Sequence, residues 1–166
     1  MVHKPIVVYG DPVLVRRAEP VTKIDDDLIR LVKDMQDAML ANFGVGLAAP
    51  QLGASLRVIV LDTSDGKDPD QQLVLLNPEL IDAHGESVAE EGCLSLPGFV
   101  TEMSRAASVV VRGLSIEGKA IEIEAEGLPA RALQHEIDHL NGILIIHSLN
   151  PLQRDLFERK WKQRQS

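Results

Sequence analysis

The stretch Leu133-Gln134-His135-Glu136-Ile137-Asp138-His139-Leu140 decides how the rest of the chain is read. At about 100° per residue, His135 and His139 fall on one face of a helix, one turn apart, so both imidazoles can offer a nitrogen to one divalent ion. Glu136, next to the first histidine, is placed to reach a water held at an open position of that ion. This is the HExxH spacing of hydrolytic metal sites, but it specifies only three positions and needs a third protein ligand from elsewhere. Two solvent histidines at chance spacing are the plain alternative. The helix carries its own limits: Pro129 suits a first helical position and Gly142 the left-handed residue just past the end. Leu133, Ile137 and Leu140 recur at i, i+4 and i+7 and predict one buried side. Asp138 either orients a ligand histidine or faces solvent.

The search for a third ligand leads to Glu90-Glu91-Gly92-Cys93-Leu94-Ser95-Leu96-Pro97-Gly98, which holds the chain's single cysteine. An isolated cysteine is usually an inert core thiol. Beside a histidine pair short of a ligand, its thiolate would complete a tetrahedral site with one position left open to chemistry. One cysteine also excludes an internal disulfide. Upstream, Gly44-Val45-Gly46-Leu47-Ala48-Ala49-Pro50-Gln51 is small or apolar until its last residue; its glycines allow close backbone approach, and Gln51 brings one amide donor into a tight region. A packed glycine turn with a surface Gln is the bland reading of the same residues.

Around these stretches the periodicities predict ordinary elements. Residues 26–41 read as a helix with an acidic start and a stripe of Leu28, Leu31, Val32, Met35 and Met39. Residues 57–61 and 73–76 are compact apolar runs of strand length, with an exposed polar loop at 62–72 and a turn at Asn77-Pro78. Residues 108–112 and the strictly alternating 120–126 form a hairpin through Glu117-Gly118-Lys119. His84 reads as a surface residue, residues 143–146 as a short extended segment, and His147 lacks a ligand's context. Asn150-Pro151 opens a final basic helix over about 151–164, whose plain reading packs Leu152, Leu156, Phe157 and Trp161 on the body.

Bulk properties bound the classes. With 166 residues, 45% hydrophobic and 25% charged, the chain reads as one domain, 1–166, able to bury a core without staples. No apolar run nears the roughly 18 residues of a membrane span, and the N-terminus lacks a signal pattern, so the cytoplasm is the expected compartment, with no membrane partner. The net charge of −8 argues against DNA or other nucleic acid binding over the whole surface. That charge is uneven: residues 151–166 carry +3, leaving −11 on residues 1–150.

Taken together, Gly44-Val45-Gly46-Leu47-Ala48-Ala49-Pro50-Gln51, Glu91-Gly92-Cys93-Leu94-Ser95 and Gln134-His135-Glu136-Ile137-Asp138-His139 resemble, in order and spacing, the three signature motifs of peptide deformylases. The similarity runs from Gly10-Asp11-Pro12-Val13-Leu14 to Asn141-Gly142, and the basic final helix makes the chain look like the bacterial type. The resemblance implies an α+β hydrolase with mostly antiparallel or mixed strands packed around a central HExxH helix, and helices toward both ends. It implies removal of formate from N-formylmethionyl nascent peptides. The implied metal ligands are Cys93, His135 and His139, with Fe(II) the usual ion and zinc, nickel or cobalt able to occupy the site; ligand type alone would put zinc first. Glu136 would be the general base, with the Gln51 amide and the Leu94 N–H meeting charge on the formyl oxygen. Val45, Leu128 and Ala132, with the His135 ring, would wall the methionine pocket, and the peptide would align beside Gly46 as an added strand.

The sequence departs from the pattern at Val100, where some members carry an arginine near the substrate backbone, and at Met103, where an aliphatic β-branched residue is frequent. The basic final helix points to docking on the ribosome near the peptide exit. A metallopeptidase is the competing enzyme and a non-catalytic metal or peptide binder the competing class; formylated against unformylated Met-peptide separates them.

Overall fold

Asp25 opens the first helix by accepting a hydrogen bond from the Leu28 N–H at 2.9 Å, and the acidic residues behind it complement the helix dipole. In this computed structural model, which describes residues 4–64 and 67–165, that helix, α1, spans Asp26–Ala41. Its stripe behaves as the period requires: Leu28, Val32, Met35 and Met39 are buried and Leu31 is half-buried. Four such side chains withdrawn from water are each worth about 1.5–3 kcal/mol.

The strands follow as β1 (Gly46–Ala48), β2 (Val58–Asp62), β3 (Gln72–His84), β4 (Ser87–Gly92), β5 (Val100–Arg105), β6 (Ser108–Leu114) and β7 (Ala120–Glu126). Five of them form one antiparallel sheet in the order β1-β2-β3-β6-β7, while β4 and β5 pair as a separate hairpin. All of β2 is buried because helices cover both of its faces. Val58 and Val60 pack with Leu47 and Leu76 against α1. Ile59 and Leu61 pack with Leu75, Val109 and Val111 against Leu133, Ile137 and Leu140 of the second helix, α2 (Gly127–Leu140). A strand covered twice reads as an unbroken apolar run, which is how residues 57–61 read. The α+β class and the antiparallel pairing around the HExxH helix are as expected.

Three local expectations change. Pro129 is the third residue of α2, still within the first turn where its missing N–H is harmless, while Gly142 is left-handed just past the Asn141 cap, as expected. Asn77-Pro78 does not turn the chain: both lie inside the 13-residue β3, where Asn77 adopts φ 52° and the register to β6 slips by a bulge. The Asn77 amide holds that conformation by accepting from the Val21 N–H at 2.8 Å and donating to the Val21 carbonyl at 3.0 Å. Residues 145–148 form a 3₁₀ turn rather than an extended segment. The β4–β5 hairpin has no alternating pattern and was not foreseen. For Asn77→Ala, which loses both bonds and the residue type that tolerates positive φ, we expect a loss of about 1–3 kcal/mol in urea unfolding.

The last helix, α3 (Pro151–Gln165), is capped by Asn150, whose Oδ1 accepts from the Gln153 N–H at 2.8 Å. Phe157 inserts into a third cluster with Leu14, Leu96 and Ile146, and Tyr9 meets Phe157 and Trp161 edge-on at 5.4 and 5.7 Å. Leu152 and Leu156 stay 71% and 51% exposed, so only half of the expected apolar face packs on the body.

Candidate metal centre

α2 carries His135, Glu136 and His139 across one face of the sheet, and the turn after β4 brings Cys93 over them. Cys93 Sγ lies 3.3 Å from His139 Nε2, which lies 3.2 Å from His135 Nε2. The three donor atoms are all within 4.8 Å of one another. A tetrahedral ion with bonds of about 2.0–2.3 Å separates its ligands by about 3.3–3.6 Å, so one thiolate and two imidazoles at this spacing fit a single divalent cation.

The surroundings aim the His135 ring at the centre and keep the His139 ring neutral. His135 turns its Nδ1 to Glu91 Oε1 at 3.2 Å, which leaves Nε2 facing the centre. Burial would depress His135, but the Glu136 carboxylate, Cys93 and Glu91 outweigh it and hold the ring well above its ordinary pKa. Burial, with the positive charge on His135, pushes His139 well below. A ring kept neutral is a ready ligand. Its Nδ1 is buried with no hydrogen-bond partner among the described residues.

Glu91 is the centre of an ion-pair network that sequence reasoning missed. Arg105 grips its carboxylate through two bonds of 2.9 Å and reaches Asp138 at 2.6 Å, while Arg131 adds a contact at 2.5 Å. Burial alone would raise the Glu91 carboxyl; the bonds from His135 and Arg105 instead hold it well below the usual carboxylate range. Asp138 thus serves Arg105 rather than a ligand ring. The pairing joins residues 14 and 40 positions apart, which no local period reports; the position of Glu91 two residues before Cys93 was the available signal. Glu91→Ala leaves the buried Arg105 with Asp138 as its remaining acid partner and takes an ion pair from Arg131 as well, and we expect chemical denaturation to show a loss of about 3 kcal/mol.

Glu136 is 4% exposed, its Oε1 has no partner among the described residues, and burial pushes its carboxyl up to about 7. Gln51 sits in the short 3₁₀ turn after β1: its Oε1 accepts from the Ala48 N–H at 3.0 Å, and its Nε2 donates to Ser95 Oγ at 3.1 Å, 3.7 Å from Cys93 Sγ. A cavity of about 670 Å³ opens beside these groups. Val45, Gly46, Gln51, Cys93, Leu94, Leu128, Ala132, His135 and Glu136 all border it, and His139 lies behind, fully buried. Phe43, 95% exposed at the rim with φ 56°, was not foreseen. Gly46 is required by contact: a Cβ there would stand 2.8 Å from Glu136 Oε2. Gly46→Ala should therefore fold while displacing the carboxylate, and we expect kcat/KM to fall by about 100-fold.

A family model for polypeptide deformylase matches residues 3–155. The chain belongs to the polypeptide deformylase family. A peptide deformylase of Thermodesulfovibrio yellowstonii is 53% identical over 154 residues, 93% of each chain, and one of Acidobacterium capsulatum is 47% identical over 99% of this chain and 97% of its own. The crystal structure of the Legionella pneumophila deformylase superposes with a TM-score of 0.92 at 45% identity, covering 99% of this chain and 98% of that one. Deformylases are metal-dependent hydrolases that remove the N-formyl group from nascent peptides, and membership gives this chain that activity. Among the described residues, no helix is long and apolar enough to cross a membrane.

Proposed function

We propose that residues 1–166 act as one catalytic domain in which Cys93, His135 and His139 hold a single Fe(II), with Glu136 as general base. The carrying observation is the convergence of those three donors beside a buried carboxylate that lacks a partner at one oxygen. When bound, such an ion acidifies water and polarises a carbonyl oxygen. The resemblance to deformylases favours iron over zinc, which the same donor set accepts.

Glu136 takes a proton from water as its oxygen adds to the formyl carbon. Charge then grows on the formyl oxygen, where the Gln51 amide and the Leu94 N–H donate. As the C–N bond breaks, Glu136 returns the proton to the leaving nitrogen, and the products are formate and a free N-terminus. Val45, Leu128 and Ala132, with the His135 ring, wall the methionine side chain, and the backbone beside Gly46 aligns the peptide.

The test is anaerobic formate release by iron-loaded protein from formyl-Met-Ala-Ala, beside acetyl-Met-Ala-Ala and the free peptide. Formate from the first substrate alone supports the reading; internal peptide cleavage without formate overturns it in favour of a metallopeptidase. Replacing iron by zinc should lower turnover while occupancy stays complete.

The cytoplasm, where nascent chains emerge, is the compartment this reading requires. The +3 charge of residues 151–166 on an otherwise acidic chain supports docking of α3 on ribosomal RNA. Because Phe157 anchors α3 in the core, truncation would confound the test. Charge reversal at exposed Arg159 and Lys162 should instead weaken ribosome co-sedimentation at low salt, and unchanged association would count against docking.

A further inference from the structure

The cavity beside Glu136 has a neighbour across its rim. Residues 97–100 line both it and a second groove of about 390 Å³, whose far wall is α3. The groove has an aromatic floor: Phe99 meets Phe157 edge-on at 4.8 Å, and Phe157 stacks on Trp161 at 5.9 Å. Val100 and Leu156, 57% and 51% exposed, leave apolar surface along it.

Lys160 and Arg164 complete the lining. The two acids of α3, Asp155 and Glu158, are engaged by Arg159 and Arg154. Lys160 and Arg164 therefore stand as positive charge facing the groove, and Arg164 is tied down by donating to the Pro97 carbonyl. This is a cationic, apolar trough on a chain of net charge −8, adjoining the catalytic cavity across residues 97–100. An extended peptide advances about 3.3 Å per residue, so a few residues beyond methionine carry a substrate across the shared segment.

We propose that the groove is a distal subsite for the downstream part of the substrate chain, favouring acidic and apolar side chains several residues after the formyl-methionine. This rests on the deformylase reading above. Pairs formed at a partly exposed groove are individually weak and salt-screened, so the effect is a modest, ionic-strength-dependent preference expressed in KM.

The test uses iron-loaded full-length protein with formyl-Met-Ala-Ala and two formyl-Met octapeptides that differ only in carrying Asp or Lys at positions 5–7. We expect the Asp octapeptide to exceed the Lys octapeptide in kcat/KM by about 3–10-fold at low salt, the ratio shrinking as salt rises. In the Lys160→Glu/Arg164→Glu variant the ratio should fall to one or below. Trp161, the single tryptophan, supplies a reading that does not depend on turnover: its emission should respond to the unformylated Asp octapeptide and not to Met-Ala-Ala. An unchanged Asp:Lys ratio in the variant, or a silent Trp161 at saturating octapeptide, overturns the subsite while tripeptide hydrolysis keeps the deformylase reading. Absence of tripeptide hydrolysis overturns both.

Discussion

Glu136→Gln is expected to keep its metal and its fold while formate release falls by about 10²–10⁴-fold. The substitution preserves shape and removes the ability to carry a proton. Nothing in the packing should resist it: the carboxylate is 4% exposed, one of its oxygens has no partner among the described residues, and burial already disfavours its charge. A neutral amide at that position costs less to bury than a carboxylate. The thermal midpoint should therefore stay level or rise as activity disappears, the usual opposition between stability and a working site. Calorimetry and a formate assay on metal-quantified protein check both halves. Near-normal turnover would remove Glu136 from the role of base.

Cys93→Ala should release the metal. Loss of an outer hydrogen-bond partner commonly weakens a metal site by about 10–100-fold; removing one of three protein ligands should exceed the upper end of that range, with activity lost alongside. Cys93 is half-buried in the turn after β4, so the shortened side chain leaves no deep void and the fold should persist. Metal content after passage over a chelating resin is the measurement. Stoichiometric metal retained by the variant would mean that another residue ligates.

What could be read in the sequence was what depends on neighbours along it. α1 and α2 were legible because a cap, a period and a stop all lie within one helix length: Asp25, the stripe from Leu28 to Met39, the paired histidines and Gly142. β2 was legible because burial on both faces leaves an apolar run. β3 was misread since Asn77-Pro78 has turn chemistry, and only pairing with β6 and the bonds to Val21 make it a bulge. The β4–β5 hairpin escaped because Ser87–Gly92 is mostly exposed and polar, held by its partner rather than by an apolar face. In the site, the predicted polar residues and glycine that meet at the cavity came from three quotable motifs, while Leu128 and Ala132 lie outside them and were named only through the resemblance. The support of Glu91 by Arg105 and Arg131 had no such source, because charged residues far apart declare their pairing only once the chain has folded.

Among the described residues, β1 and β7 stand at the margins of the sheet, and they carry different risks of self-association. β7 is seven residues long, but Glu122, Glu124 and Glu126 line it, and a second copy arriving there would meet its own negative charge. β1 has no such guard and is only three residues long, too short to template the growth of a fibril. Its brevity lets one margin stay open to an extended chain without inviting other copies to add on.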